Sequence, residues 1–190
     1  MAGSTLSRRA LVGGCIGARG VFVARADEPV DPDRMALPKI GDRLVEAGNE
    51  PGKTPLKPDD LGLHDLTLAW AFDPQTRLAR DGSRLNMVLL MRFDPATLAD
   101  AEREMAPGGV VAYSAVCTHQ QCWVTDWLKS AQVLQCPCHQ SRYDLRQGAK
   151  VVGGPAPRPL PALPLTLSDG ALKVAGPFTD RVGGEKPGAA

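Results

Sequence analysis

The sequence predicts an all-β protein of antiparallel sheets, with one inserted helix and a small subdomain built on two loops. Two nearly continuous apolar runs of strand length, Leu85–Phe93 and Val110–Val116, indicate buried strands. Asp169 and Gly170 separate two short apolar stretches and form a favoured two-residue hairpin turn. Large apolar residues also alternate with smaller or polar neighbours, as in a half-buried strand, at Leu66, Leu68, Trp70 and Phe72.

One helix is predicted between the two apolar runs. Asp94 is a favourable N-cap residue, and Pro95 is a typical first-turn residue. The helix is therefore expected over Ala96–Met105, with a stop at Pro107 and Gly108.

Length and charge limit the functional classes. A chain of 190 residues suits one domain with a terminal appendage. The formal net charge is +1, which gives no basic surface for phosphate backbones, so no nucleic-acid partner is expected.

Residues 1–26 have the pattern of a twin-arginine signal peptide. Arg8 and Arg9 precede the apolar stretch Ala10–Val23, and small residues follow at a suitable cleavage site, Ala24–Ala26. This pattern predicts export to the periplasm by the twin-arginine route, followed by cleavage of the leader.

Two residues of the leader leave other fates open. Arg19 interrupts the apolar stretch, which is then well short of the roughly 20 residues that span a bilayer. A permanent anchor is therefore not the first expectation, although membrane association stays possible. Cys15 loosely resembles a lipoprotein cleavage site, but the apolar segment before it is very short.

The rest of the chain divides into three predicted parts. Residues 27–61 contain six prolines among many charges, which is typical of an extended linker. Residues 62–180 are the expected folded domain, and residues 181–190 are expected to form a flexible tail.

Two short Cys/His pairs predict a metal site. Cys117 and His119 lie on one predicted loop, and Cys136 and His139 lie on another, so the pairs can hold one cofactor from two sides. A [2Fe-2S] cluster with mixed ligation needs two thiolates and two imidazoles. Structural zinc also binds this set, although zinc sites usually pair like ligands in a Cys-x-x-Cys arrangement.

Two other uses of the cysteines are a c-type haem and a set of disulfides. A c-type haem is excluded, because its signature needs two residues between the cysteines, and Cys136 and Cys138 have only one between them. A purely disulfide-bonded domain would explain four of the five cysteines without using the histidines.

The stretch resembles the Rieske iron-sulfur proteins, and among them the high-potential branch of the cytochrome bc1 and b6f complexes. Sixteen residues separate His119 from Cys136, as this family expects. The looser resemblance runs from about Ile40 to the C-terminal region. The matching residues are Cys117, Thr118, His119, Cys122, Cys136, Pro137, Cys138, His139, Ser141, Tyr143, Asp144, Gly154, Pro155, Ala156 and Pro157.

The resemblance implies a Rieske fold and a Rieske-type [2Fe-2S] cluster. Cys117 and Cys136 would hold one iron as thiolates, and His119 and His139 would hold the other through one ring nitrogen each. The cluster-binding subdomain is expected over about residues 113–158.

Other residues take supporting roles by the same resemblance. Cys122 and Cys138 would form a disulfide between the two loops, which requires an oxidising compartment. Ser141 and Tyr143 would donate hydrogen bonds to cluster sulfur and raise the reduction potential. A third loop would shield the cluster from one side, through Gly154, Pro155, Ala156 and Pro157.

Three positions depart from the bc1-type pattern. Where those proteins usually carry an apolar residue and glycines, this chain has Gln120, Gln121 and Gln140. Amides around the exposed histidines suit a polar docking surface better than insertion into an apolar quinol pocket.

The predicted function is therefore single-electron transfer between redox partners in the periplasm, with no catalysis expected in the isolated chain. A cytochrome c or a periplasmic or membrane oxidoreductase is the expected partner, and quinol remains possible. The alternative is the Rieske subunit of a ubiquinol–cytochrome c reductase. A Rieske oxygenase component is disfavoured, because its low-potential domains lack the extra cysteine pair.

Overall fold

The computed structural model describes residues 31–48 and 54–184, so the predicted leader lies outside the described residues. Within them the chain is mostly antiparallel β-structure with few helical turns, which confirms the predicted fold class. The strands are β1 (Arg43–Glu46), β2 (Leu66–Asp73), β3 (Leu78–Ala79), β4 (Val88–Arg92), β5 (Val110–Ser114), β6 (Asp126–Leu128), β7 (Val133–Gln135), β8 (Arg142–Asp144), β9 (Lys150–Gly153), β10 (Leu165–Ser168) and β11 (Ala171–Val174).

The strands form two sheets. The larger sheet has the order β10-β11-β1-β2-β4-β5, with the short β3 paired to β2. The smaller sheet, β6-β7-β8-β9, falls within the range expected for the cluster-binding subdomain. The predicted hairpin joins β10 to β11, where Asp169 and Gly170 have φ of 53° and 76°, as a two-residue turn of this kind requires.

Two apolar clusters fill the interior, one on each face of the larger sheet. On β4, Val88 and Leu90 belong to one cluster, while Leu89 and Met91 belong to the other. All four side chains are fully buried. The cluster that contains Leu89 and Met91 also contains Leu134 of the smaller sheet, so this cluster joins the two sheets.

The strand predicted around Leu68 and Trp70 forms as β2, but its burial differs from the prediction. These two large side chains are only partly buried, whereas the alanines that follow each of them, Ala69 and Ala71, are 0% exposed. Ala71 pairs with Leu44 of β1, and both belong to the same apolar cluster. Both faces of β2 are therefore covered, and the small residues occupy the tighter side.

The predicted helix over Ala96–Met105 is wrong in its extent. A 3₁₀ turn covers Pro95–Thr97, with Asp94 capping it as expected, and the α-helix itself covers only Asp100–Met105. Leu98 is extended between them, with ψ of 144°, and its side chain is buried at 3% exposure. The extended backbone at Leu98 interrupts the helix and places this side chain in the interior. The first helix of the described chain is a single turn, Pro32–Met35.

The linker prediction for residues 27–61 is also wrong where the structure describes them. Strand β1 lies inside the larger sheet, between β11 and β2. Beside it Asp42 accepts hydrogen bonds from the Arg80 Nε and Nη2 atoms at 2.5 and 2.9 Å, and both residues are buried. The part of this segment that contains Asp42 and β1 therefore belongs to the folded domain.

The flexible tail predicted over residues 181–190 is only partly within the described residues. Gly183 and Gly184 are buried rather than free, which corrects the prediction for this part. Among the described residues, no helix has the length and apolar character needed to cross a bilayer.

Candidate metal centre

Two loops with the same backbone closure form the centre. In the first, the Cys117 N–H donates to the Cys122 carbonyl at 2.8 Å, and the Gln121 N–H donates to the Cys117 carbonyl at 3.0 Å. The second loop repeats both bonds at 2.8 and 3.0 Å, through Cys136, Ser141 and Gln140. Each loop therefore holds its first cysteine by its own backbone.

The closure places one glutamine of each loop in a left-handed conformation. Gln121 has φ of 60° and Gln140 has φ of 58°. Glycine is the residue that adopts this conformation without steric cost. Sequence reasoning did not detect the strain, because a glutamine gives no local sign of a positive φ.

A disulfide ties the two loops together, as the resemblance implied. Cys122 and Cys138 are bonded and stand 6.5 Å apart at Cα. Cys138 is exposed and Cys122 is partly buried, so the bridge lies at the edge of the site.

The two remaining cysteines of the motif are free and buried. Cys117 and Cys136 are each 1% exposed. Burial raises the pKa of the Cys136 thiol and the neighbouring Cys117 thiol adds to the rise, while backbone N–H groups of Cys138 and His139 oppose it. Since burial disfavours a bare Cys136 thiolate, a bound cation would stabilise the ligand form of this sulfur.

The rings of the two histidines lie against each other. The ring centroids of His119 and His139 are 4.7 Å apart, and the rings are nearly perpendicular. His139 is exposed, whereas His119 is half-buried. The His119 Nδ1 atom is buried and has no hydrogen-bond partner within residues 31–48 and 54–184. A metal ion would satisfy this nitrogen, so the residues fit the cluster that the resemblance implied.

A close group of sulfur atoms in the described residues differs from the predicted ligand set. The Sγ atoms of Cys122, Cys136 and Cys138 lie within 4.8 Å of one another. Two of these sulfurs are already bonded to each other, so they cannot act as thiolate ligands. The trio shows how closely the disulfide lies to Cys136.

Two buried hydroxyl groups lie on the first loop side of the site. The Tyr143 hydroxyl is 3.3 Å from the Cys117 Sγ and 3.3 Å from the Thr118 Oγ1. Thr118 in turn donates to the Arg158 carbonyl at 2.7 Å. Burial, and then the neighbouring Cys117, raise the pKa of Tyr143 far above its ordinary value, so its hydroxyl keeps the proton that a sulfur can accept.

The third loop packs against the second. The Ala156 N–H donates to the Ser141 Oγ at 3.1 Å, which leaves the Ser141 proton free for another acceptor. A Cβ on Gly154 would lie 2.5 Å from the Ser141 Cα, so only glycine allows this approach. Pro155 and Pro157 are exposed beside it.

The three glutamines that depart from the bc1-type pattern are all exposed at this end of the molecule: Gln120, Gln121 and Gln140. Arg84 donates to the Gln121 carbonyl at 3.0 Å and lies over the Trp123 ring, 5.7 Å from its centroid. The exposed end is therefore polar, as the sequence predicted.

Comparison with known proteins identifies the family. Residues 92–164 match the model of the Rieske [2Fe-2S] domain. The chain is 35% identical over 136 residues to the cytochrome bc1 complex Rieske iron-sulfur subunit of Streptomyces lividans, covering 68% of this chain and 78% of that protein. It is 42% identical over 106 residues to a putative respiratory nitrate reductase subunit Rieske of Haloferax mediterranei, covering 55% and 47% of the two chains.

Among solved structures, the chain is similar to one described as a hyperthermophilic respiratory Complex III. That match has 26% identity and a TM-score of 0.42, and it covers 62% of this chain and 70% of the other. The Streptomyces relative and the matched domain carry the assignment, and the buried thiols and facing imidazoles agree with it. The chain belongs to the Rieske iron-sulfur family and is an electron-transfer protein with a Rieske-type [2Fe-2S] cluster.

Proposed function

We propose that this chain is a periplasmic, high-potential Rieske protein that passes single electrons between redox partners. The observation that carries the proposal is a pair of facing imidazoles on the same two loops as two buried free thiols, with a buried tyrosine hydroxyl 3.3 Å from one sulfur. In this proposal Cys117 and Cys136 hold one iron, and His119 and His139 hold the other.

When bound, the cluster supplies reversible one-electron chemistry. The chain sets the energy of that chemistry through hydrogen bonds to sulfur. Tyr143 donates toward Cys117, and Ser141 has a proton free because its oxygen already accepts from Ala156. Donors of this kind stabilise the more negative, reduced state and so raise the potential.

His139 would place one iron ligand at the exposed end. It would hold iron through one ring nitrogen, and its exposed side chain would be accessible to water or to a docked partner.

The docking surface in this proposal is the amide-rich end formed by Gln120, Gln121 and Gln140. Two of these residues hold a conformation that favours glycine, and retained strain at an exposed site supports a functional use of the side chain. A polar partner, such as a cytochrome c or a periplasmic or membrane oxidoreductase, fits this surface, and quinol is the less suited reactant.

A leucine substitution tests the docking surface. Gln120→Leu should change the electron-transfer rate to a cytochrome c in stopped-flow measurements, with nearly the same potential as the wild type. Gln75→Leu is the matched control, because Gln75 is also exposed but lies on the turn after β2 and not on a ligand loop. An unchanged rate in Gln120→Leu, or equal changes in both variants, would rule out this docking surface.

The alternative function is the Rieske subunit of a ubiquinol–cytochrome c reductase. The match over 78% of the Streptomyces bc1 subunit supports it. Purification of the tagged chain from its own membranes and periplasm separates the two proposals. Recovery with a cytochrome b in the membrane fraction supports the alternative, whereas recovery without it from the periplasm supports a separate carrier.

Export by the twin-arginine route with cleavage of residues 1–26 remains part of the proposal. The paired arginines support it, and so does the disulfide, which forms in an oxidising compartment. Replacement of Arg8 and Arg9 by lysine should retain the protein in the cytoplasm. N-terminal sequencing of the exported form distinguishes cleavage after residue 26 from lipidation at Cys15 or a retained leader.

A further inference from the structure

The segment Phe178–Gly184, which follows the last strand, lies against the first ligand loop. Gly184 is buried, and a Cβ placed on it would be 2.7 Å from the His119 carbonyl oxygen. A Cβ on Gly183 would be 3.3 Å from the Gln121 side chain. The backbone of this segment, which we name the C-terminal strap, is therefore in direct contact with the loop that carries His119.

The C-terminal strap matches the third loop in its geometry. Gly154 of the third loop lies against the second ligand loop, where a Cβ would be 2.5 Å from the Ser141 Cα. Gly184 does the same against the first ligand loop. Each ligand loop is thus backed by one glycine whose approach no larger residue permits.

Arg158 joins these parts. Its Nη1 atom is 3.2 Å from an Asp180 carboxylate oxygen, and its Nη2 atom donates to the Gly183 carbonyl at 2.5 Å. Its own carbonyl accepts the Thr118 hydroxyl at 2.7 Å. The Arg158 side chain is only 16% exposed, so these charge-assisted bonds are partly shielded from water.

A short chain of contacts leads from Arg158 to the proposed ligands. Thr118 is fully buried beside Tyr143, whose hydroxyl lies 3.3 Å from the Cys117 sulfur. On the other side, the strap contacts the His119 backbone. A displacement of Arg158 would therefore move one proposed cysteine ligand, Cys117, and one proposed histidine ligand, His119, although neither residue is substituted.

We propose that Arg158 is a positioning residue for the cluster, which holds the C-terminal strap against the His119 loop while its carbonyl fixes Thr118. This inference rests on the proposed function, because it assumes that Cys117 and His119 bind iron. The strap then belongs to the cluster site as its fourth segment, in addition to the two ligand loops and the third loop.

Three variants test the proposal in the cluster-loaded full-length protein. Gly184→Ala pushes the strap off the loop without changing charge. Arg158→Gln removes the guanidinium, and Arg158→Lys keeps the charge but loses the second donor of the planar fork. Gly176→Ala is the matched control, because its Cβ would meet only the Pro164 side chain.

The readouts are the EPR spectrum of the reduced protein, its potential, and the rate of cluster loss followed by visible absorbance. Gly184→Ala and Arg158→Gln should shift the EPR g-values, lower the potential and speed cluster loss by about tenfold, as expected for one or two lost charge-assisted bonds. Arg158→Lys should be intermediate. Gly176→Ala should match the wild type.

A double variant distinguishes positioning through the strap from independent effects of the two substitutions. If Arg158 acts through the strap, Arg158→Gln combined with Gly184→Ala should lose the cluster no faster than the stronger single variant. Multiplied effects would overturn the proposal, as would wild-type g-values and loss rates in both single variants. If a variant does not fold, as judged by far-ultraviolet circular dichroism, Arg158→Lys decides, and wild-type values there overturn the proposal. Absence of a Rieske EPR signal in the wild type would instead refute the proposed function.

Discussion

Replacing Tyr143 by phenylalanine should lower the reduction potential while leaving the fold intact. The change removes only a hydroxyl, from a side chain that is 0% exposed and 3.3 Å from the Cys117 sulfur. A hydrogen bond to a charged acceptor is worth about 1.5–3 kcal/mol, and we take half of it, about 0.75–1.5 kcal/mol, as dependent on the redox state. For a one-electron couple this corresponds to a decrease of about 30–65 mV.

The chain offers a matched control for this substitution. Tyr113 is the other of its two tyrosines, and it is also buried, but its hydroxyl donates to the Leu145 carbonyl at 2.8 Å. Tyr113→Phe should therefore destabilise the protein without moving the potential. Protein-film voltammetry measures both potentials under the same conditions. An unchanged potential in Tyr143→Phe, or an equal decrease in Tyr113→Phe, would refute the reasoning.

Ser141→Ala should behave differently from Tyr143→Phe. The Ser141 oxygen accepts the Ala156 N–H, so its removal takes away a donor toward the cluster and also leaves a buried N–H unpaired. We expect a lower potential together with a loss of about 1–3 kcal/mol in the free energy of unfolding. Chemical denaturation beside voltammetry separates the two effects, and a stability equal to the wild type would contradict the second.

Two further predictions concern stability. Burial raises the pKa of both Tyr113 and Tyr143, so the unfolded state loses these hydroxyl protons at a lower pH than the folded state does. The contribution of the two protonated hydroxyls to the free energy of unfolding is complete below about pH 10. Above this pH the contribution falls by up to about 1.4 kcal/mol per pH unit for each tyrosine. Phenolate absorbance should then appear only with unfolding, and a tyrosine that ionises in the intact fold would contradict this. Gln121→Gly and Gln140→Gly should each raise the free energy of unfolding in urea by about 1 kcal/mol, because both residues have a positive φ. Gln120→Gly, beside Gln121 but without a positive φ, should lower the free energy of unfolding by about 0.5–1 kcal/mol. A loss of stability at all three positions would show that the strain is absent.

The residue types and spacing of the motif identified the two loops and the disulfide between them. Cys117 and Cys136 begin two loops with the same backbone closure, which involves neighbours within five residues. The disulfide partners follow in the same loops. The hairpin turn also depends on adjacent residues only, and Asp169 and Gly170 form it as predicted.

Contacts that are distant in sequence were not predictable in this way. A proline-rich segment gives no sign that Arg43 will pair with Phe72 in the larger sheet. Helix propensity does not reveal that Leu98 will be buried and interrupt the helix. Gly184 is buried next to Gly183, whose carbonyl accepts a hydrogen bond from Arg158, 25 residues earlier in the chain.

An EPR-monitored redox titration of the full chain tests directly whether the proposed cluster is present. In the proposed function, Cys117 and Cys136 hold one iron, His119 and His139 hold the other, and hydroxyl donors raise the potential. Ascorbate, a mild reductant, should therefore suffice to produce the rhombic signal of a reduced Rieske cluster. A signal that appears only with dithionite would contradict the high potential, and zinc in place of iron with no signal would contradict the assignment of the site.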